Sequence, residues 1–427
     1  MLIEFSVTNY RSFKDPQTFS LTKASGKELE NSNTFTANTP GKEELLRSTA
    51  LYGPNAAGKS NLLRALYAMR QIVVSSASSK QRGDKLPVVP FKLDPETTNR
   101  PSEFEVIIVA DGIRYQYGFS ADEKRIHEEW LMAFPKGRMQ RWFNREWDKA
   151  KQKYNWEMGS ALQGQKLIWQ KSTRENALFL STAVNLNSEQ LQPIYDWFRK
   201  KLRVVGASNW HLLTAMLCQQ KDKKEKVLDF LKAADLDIFD VEVEMDKFDP
   251  KRHLADDLPD AVKEYIAKDM QNEDIISEIK TQHIRSDGEI VSFDLGDDES
   301  DGTDRIFSFA GPWIESLEKG FVLIVDELHN SLHPKLVKFL VQLFHSDKTN
   351  KKNAQLIFTT HETSILNESK LFRRDQVWFC EKDNAKATQL FSLTDFSARK
   401  DENVERRYLS GRYGALPFIH DYHFINS

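Results

Sequence analysis

One eight-residue stretch, Gly53-Pro54-Asn55-Ala56-Ala57-Gly58-Lys59-Ser60, restricts what this 427-residue chain can fold into more than any other feature. A glycine-bounded turn ending in Gly-Lys-Ser needs a strand before it and a helix after it, because that geometry aims backbone N–H groups and a helix N-terminus at one anion. Both neighbours are legible. Thr49 to Tyr52 is a short β-forming run, and from Asn61 to Val74 the apolar residues recur at helical spacing. In such a loop the backbone from Gly53 to Asn61 cradles phosphates, Lys59 neutralises the β- and γ-phosphates, and the Ser60 hydroxyl ligates Mg²⁺.

A second element is the continuous apolar run Phe321 to Val325, which ends in Asp326-Glu327. A buried strand of this kind is expected beside the glycine-loop strand, where Asp326 holds the metal through water and Glu327 polarises the attacking water. The third is His361, directly after the strand-like run Gln355 to Thr360, where an imidazole can donate to the γ-phosphate. His329 and His333 stand four apart, a zinc-ligand spacing if they shared a helix face. Pro334 follows them, so a turn that opens a helix is the expected structure.

Composition narrows the class further. Lys plus Arg number 60 against 63 Asp plus Glu, so a net charge of −3 gives no global basic field. Contact with nucleic acid would need a local patch; the candidates, Arg199-Lys200-Lys201 and Lys221 to Lys226, are runs that solvated helix faces also produce. Cys218 and Cys380 have no CxxC or histidine partners, which argues against a disulfide framework or a zinc knuckle. The opening MLIEFSVTNYRSF lacks the charge and apolar pattern of a leader, and no apolar run is long enough to span a bilayer, so a reducing, cytoplasmic location is expected.

Along the chain, Leu2 to Val7 reads as a strand, and Glu103 to Ser120 as a hairpin about Asp111-Gly112. Lys136 to Gln170 has no clean period and is expected to be irregular β or loop structure; Ala177 to Val184 looks like a strand. From about residue 188 the segments SEQLQPIYDWFRKKL, KEKVLDFLKAA and PDAVKEYIAKDM carry helical periodicity. A hairpin, Ile276 to Arg285 with Ile290 to Leu295, then marks the expected return to the first domain. The expected fold is an α/β P-loop NTPase with a mixed sheet, a β-rich lobe and a helical insertion, divided as 1–189, 190–275 and 276–427.

Taken together, NYRSF, GPNAAGKSNLL, VPFKLD, RYQYGF with EEWL, ESDGTDR, VLIVDELHNSLHP, IFTTHE and YLSGRYGALP resemble ABC-type ATPases of the SMC, RecF and Rad50 kind, and the RloA-like ones in particular. The resemblance covers the whole chain. It implies that Ser300-Asp301-Gly302-Thr303 stands at the signature position, where Ser300, Gly302 and Thr303 would reach the γ-phosphate of an opposite subunit, although the stretch departs from LSGGQ. Likewise Ser331-Leu332-His333 would be the D-loop at the dimer seam, and Arg11 with Ser12 would lie near the nucleotide. No Q-loop glutamine is evident; Asn185 and Asn187 are the nearest substitutes. By resemblance the chain is an ATPase that uses ATP and Mg²⁺, closes as a head-to-tail homodimer or a higher assembly built from it, and controls an operon-encoded effector, a nuclease toxin, in defence against phage. The alternatives are a RecF-like DNA-binding repair ATPase and a stand-alone metabolic NTPase or kinase.

Overall fold

The structure, a computed structural model, describes residues 1–205, 210–247, 274–367, 370–396 and 402–417. The chain divides into two compact units: Met1–Val205, Ser316–Asn330 and Val337–Ser427 form one, and Gly206–Glu315 with Ser331–Leu336 the other. These divisions fall elsewhere than the expected borders after residues 189 and 275.

The first unit contains a six-stranded mixed sheet in the order Leu202–Val205, Val322–Val325, Gln355–Thr359, Ser48–Tyr52, Val377–Lys382, Thr388–Ser392. Its first five strands are parallel and the last is antiparallel. The three central strands are buried along their whole length, and Val322–Val325 accordingly reads as an unbroken apolar run. A seven-stranded antiparallel sheet of the same unit runs Lys153–Met158, Gln140–Asp148, Ile126–Phe134, Ile113–Ala121, Ser102–Ala110, Leu2–Thr8, Gln17–Ser20. The Gln355 carboxamide joins the two sheets, accepting from the Leu2 N–H at 2.7 Å and donating to the Leu2 carbonyl at 3.0 Å. The helix Lys59–Ser75 buries Leu62, Leu66, Met69, Ile72 and Val73 in a core that also takes Phe5, Tyr117, Leu51 and Ile324 from the sheets.

The hairpin about Asp111-Gly112 forms as expected, with φ of 47° and 74° at its two turn residues. Lys136 to Gln170 is more regular than its sequence suggests: a hairpin of Gln140–Asp148 with Lys153–Met158, then the helix Lys166–Ser172. A register shift between Leu131 and Met132 in the pairing with the neighbouring strand disturbs the two-residue period that would have revealed it. The run Ala177 to Val184 is corrected outright, since Phe179–Asn185 is a helix. Short apolar runs do not distinguish strand from helix. A buried carboxylate decides here: Glu129 accepts from the N–H groups of Phe179 (2.7 Å) and Leu180 (3.0 Å) at the helix start. It also pairs with Arg145 at 3.1 Å, both side chains fully buried.

In the second unit the helices Trp210–Cys218 and Lys221–Ala233 bear out part of the helical reading, whereas Asp240–Lys247 is a strand. It pairs with Asp274–Ile284, which pairs with Ile290–Asp294, so the second hairpin extends a three-stranded sheet of this unit. The alternation in DVEVEMDK carried that signal. The expected helix PDAVKEYIAKDM lies outside the described residues.

One buried group of the first unit sets a pH dependence. His345, 6% exposed, shares a 2.7 Å hydrogen bond with the Ser48 hydroxyl, and burial, reinforced by Arg47, pushes its pKa down to about 3. A depressed folded-state pKa gives stability that is complete above the unfolded value of about 6.5 and is lost as pH falls toward 3. By pH 4 the loss from this one ring amounts to about 3 kcal/mol. Urea unfolding at pH 7 and pH 4 should therefore show a smaller acid loss in His345→Gln than in the parent; equal losses would remove His345 from the account.

A candidate nucleotide phosphate site

The buried strand Ser48–Tyr52 delivers the chain into the glycine loop, and neighbouring backbone fixes where glycine is required. Gly53 has φ 144°, and a Cβ there would lie 2.3 Å from the Cys380 carbonyl oxygen. At Gly58, φ is 115° and a Cβ would lie 2.1 Å from the Thr388 hydroxyl. Both clashes are with the strands that flank the loop, so the packing that holds the loop also excludes any side chain. Gly58 precedes Lys59–Ser75, and no side chain caps this helix, leaving its first N–H groups directed at the loop.

Lys59 is 6% exposed, and its ammonium donates to the carbonyls of Gly53 (2.8 Å) and Pro54 (3.1 Å). Burial lowers its pKa, opposed by Cys380, Asp326 and Glu327. Those carboxylates are thus electrically close to the lysine. Asp326 accepts from the Thr359 hydroxyl at 2.6 Å, and the same hydroxyl accepts from the Glu327 N–H at 2.7 Å. Glu327 has φ 53°, uncommon for a side chain of its size, and Asn330 Nδ2 donates to its Oε2 at 2.5 Å. Its backbone and its carboxylate are therefore both held.

The acidic strand is not beside the glycine-loop strand as the sequence suggested. Gln355–Thr359 lies between them and pairs with both. At about 4.8 Å per strand the separation is roughly 10 Å, enough for a phosphate, a hydrated cation and a water between loop and carboxylates. His361 follows the intervening strand. Its ring centroid is 5.5 Å from that of His329, and the loss of water on one side, with Lys59 and His329 nearby, lowers its pKa against the opposing pull of Glu327 and Asp326. A neutral imidazole results, able to donate one N–H.

Residues Asn55, Ala56, Ala57, Gly58, Lys59, Ser60, Asn61, Arg64, Glu327 and His361 line one cavity of about 190 Å³. The structure thus brings the loop, the catalytic candidate and the histidine together. Pro54 and Gly53 line an adjoining cavity that shares Asn55 and His361. The oxygen donors Ser60 and Asp326 suit Mg²⁺, which takes one or two protein oxygens and completes its shell with phosphate and water. Among the described residues no group of three His, Cys, Asp or Glu side chains is placed to hold a metal, and His333 sits just before the helix Pro334–His345.

Ser12 is tied to the loop. The Asn61 amide donates to its hydroxyl at 2.8 Å, and the Thr388 hydroxyl, 2.8 Å from it, donates to the Ala57 carbonyl at 2.7 Å. The Arg11 N–H donates to the Val89 carbonyl, and Arg11 does not line the cavity. Nor do Asn185 and Asn187, exposed at and beyond the end of Phe179–Asn185. Thr359, Thr388 and Arg64 were not anticipated. The Thr-Thr-His run points to the first, and the i, i+4 relation to Ser60 points to Arg64.

In the second unit the Ser300 hydroxyl accepts from the Thr303 N–H at 3.2 Å, at the start of the helix Asp301–Lys319. A Cβ on Gly302 would lie 3.1 Å from the Ser331 carbonyl oxygen, so the ESDGTDR turn and Ser331-Leu332-His333 adjoin within that unit. The basic runs are partly neutralised: Lys200 pairs with Asp196 at 2.9 Å, and Lys224 with Asp240 at 2.7 Å.

Residues 48–367 match the family described as "AAA domain, putative AbiEii toxin, Type IV TA system". No curated protein is significantly similar in sequence. Among solved structures, the chain is similar to the "SMC head domain from Thermotoga maritima", with a TM-score of 0.40, 12% identity, and coverage of 92% of this chain and 98% of that one. It is also similar to the SmcHead in a structure bound to the C-winged helix domain of ScpA, with a TM-score of 0.39, 10% identity, and coverage of 92% and 97%.

Proposed function

The chain belongs to the AAA family described as a putative AbiEii toxin of Type IV TA systems and is a P-loop ATP hydrolase, and from that premise we propose that two copies close head to tail around two ATP molecules to control a companion effector in defence against phage. The observation that carries this reading is a division of parts. Lys59, Ser60, Glu327 and His361 surround one cavity of the first unit, while Ser300 to Thr303 and Ser331 adjoin in the second. A helix start with a small polar residue and a glycine is chemistry for binding phosphate, which a second copy can present.

In this mechanism Lys59 leaves the Gly53 and Pro54 carbonyls for the β- and γ-phosphates. Ser60 and Asp326 would hold Mg²⁺, which would offset phosphate charge there. Glu327, fixed by Asn330 and Thr359, orients and polarises the attacking water, and neutral His361 donates to the γ-phosphate. Contacts made to the γ-phosphate only in the closed pair differ between states, so ATP binding favours closure and hydrolysis releases it.

The effector part of this reading is tested by co-expressing the chain with the products of its neighbouring genes and purifying with ATP, with ADP and without nucleotide. A stable complex in at least one state, altered in another, is the expected result. No association in any state removes the effector reading, and duplex-DNA affinity that needs ATP and falls steeply with salt would put a DNA clamp in its place.

A further inference from the structure

We propose that Arg64 is a catalytic residue of the ATPase site, supplying in cis a second fixed positive charge to the γ-phosphate as the bond to it breaks. The inference rests on the family's hydrolase activity and the phosphate cavity, not on the dimer.

Arg64 stands four residues after Ser60 on the helix Lys59–Ser75, one turn further along the same face. Helical side chains lean back toward the N-terminus, which carries its guanidinium toward the loop, and Arg64 is among the residues lining the phosphate cavity. It is exposed at the cavity mouth, and its hydrogen bond there is a long one, from Nη1 to Asn61 Oδ1 at 3.4 Å. Asn61 is itself anchored through its amide to Ser12 at 2.8 Å, so it offers the guanidinium a fixed resting place that costs little to leave.

Charge bookkeeping explains why such a group is needed. A triphosphate carries about four negative charges; a bound Mg²⁺ would offset two of them and Lys59 a third. Glu327 adds one back at the water side of the cavity. Arg64 is the further cation lining that cavity, with a planar donor fork that matches phosphoryl oxygens. In the reaction, water attacks the γ-phosphorus, the bond to the bridging β–γ oxygen breaks with its electron pair moving to ADP, and the water proton passes to Glu327. Arg64 compensates the charge that this leaves on the phosphoryl oxygens.

The test compares the parent, Arg64→Ala and Arg64→Lys by ATP turnover and by binding of MgADP alone and of MgADP with aluminium fluoride. Arg64→Ala should lower kcat and the affinity for the fluoride complex together, each by about 100-fold, with MgADP affinity changed less than about threefold and Arg64→Lys restoring only part. The assignment is overturned if Arg64→Ala keeps kcat within about threefold of the parent, or if it loses MgADP and the fluoride complex equally. A parent protein that binds neither ligand would instead remove the nucleotide reading itself, a separate outcome.

Discussion

Glu327→Gln is expected to lower ATP turnover by at least about 100-fold while leaving ATP affinity within a few-fold, and to turn a transient ATP-bound dimer into a lasting one. The carboxylate and the carboxamide have the same shape, so Asn330 and the Thr359 hydroxyl still hold the loop, and Glu327's backbone at φ 53° is undisturbed. Only the group that draws a proton from water is lost. The phosphate contacts proposed for Lys59, Ser60 and His361 should remain, so binding energy is kept while its discharge by hydrolysis is blocked. Sedimentation with MgATP should show a dimer in Glu327→Gln that the parent forms only briefly and that neither protein forms with ADP. Rapid turnover in the variant would mean that another residue activates the water, and a monomer under saturating MgATP would contradict closure around nucleotide.

The candidate phosphate site was legible in the sequence because its residues are local. Strand, loop and helix are contiguous from Ser48 to Ser75, so the positions of Gly53, Gly58 and Lys59 follow from a single turn. The acidic strand end and His361 were found by composition, a buried apolar run ending in a polar group. Their spatial order was not legible, because strand order depends on how the crossovers pack and not on any one segment. That is why Gln355–Thr359 was not foreseen between the loop strand and the acidic strand. Thr359 was missed for the same reason: a threonine at a strand end gains its role from Asp326 and Glu327, both more than 30 residues away along the chain. The helix Phe179–Asn185 failed as a strand because Glu129, some 50 residues earlier, stabilises its first turn. In the second unit Asp240–Lys247 alternates with the two-residue period of a strand, although the segments before it carry helical periodicity.

The second large effect concerns which copy completes the site. Lys59→Ala removes the ammonium proposed to meet the β- and γ-phosphates, and Gly302→Asp puts a carboxylate where phosphate oxygens should arrive, so each protein alone should lose ATP turnover by about 100-fold or more. In a head-to-tail pair the two lesions fall on the same site when the proteins are mixed. A mixed dimer has one site with both defects and one site with neither. With random pairing, half the dimers are mixed and each keeps one site of two, so an equimolar mixture should recover roughly a quarter of parental turnover. The ATPase rate of Lys59→Ala and Gly302→Asp proteins, assayed singly and together, therefore decides whether two copies share a site. Recovery toward a quarter on mixing is the predicted result; a mixture as inactive as its two components would contradict a site shared between copies.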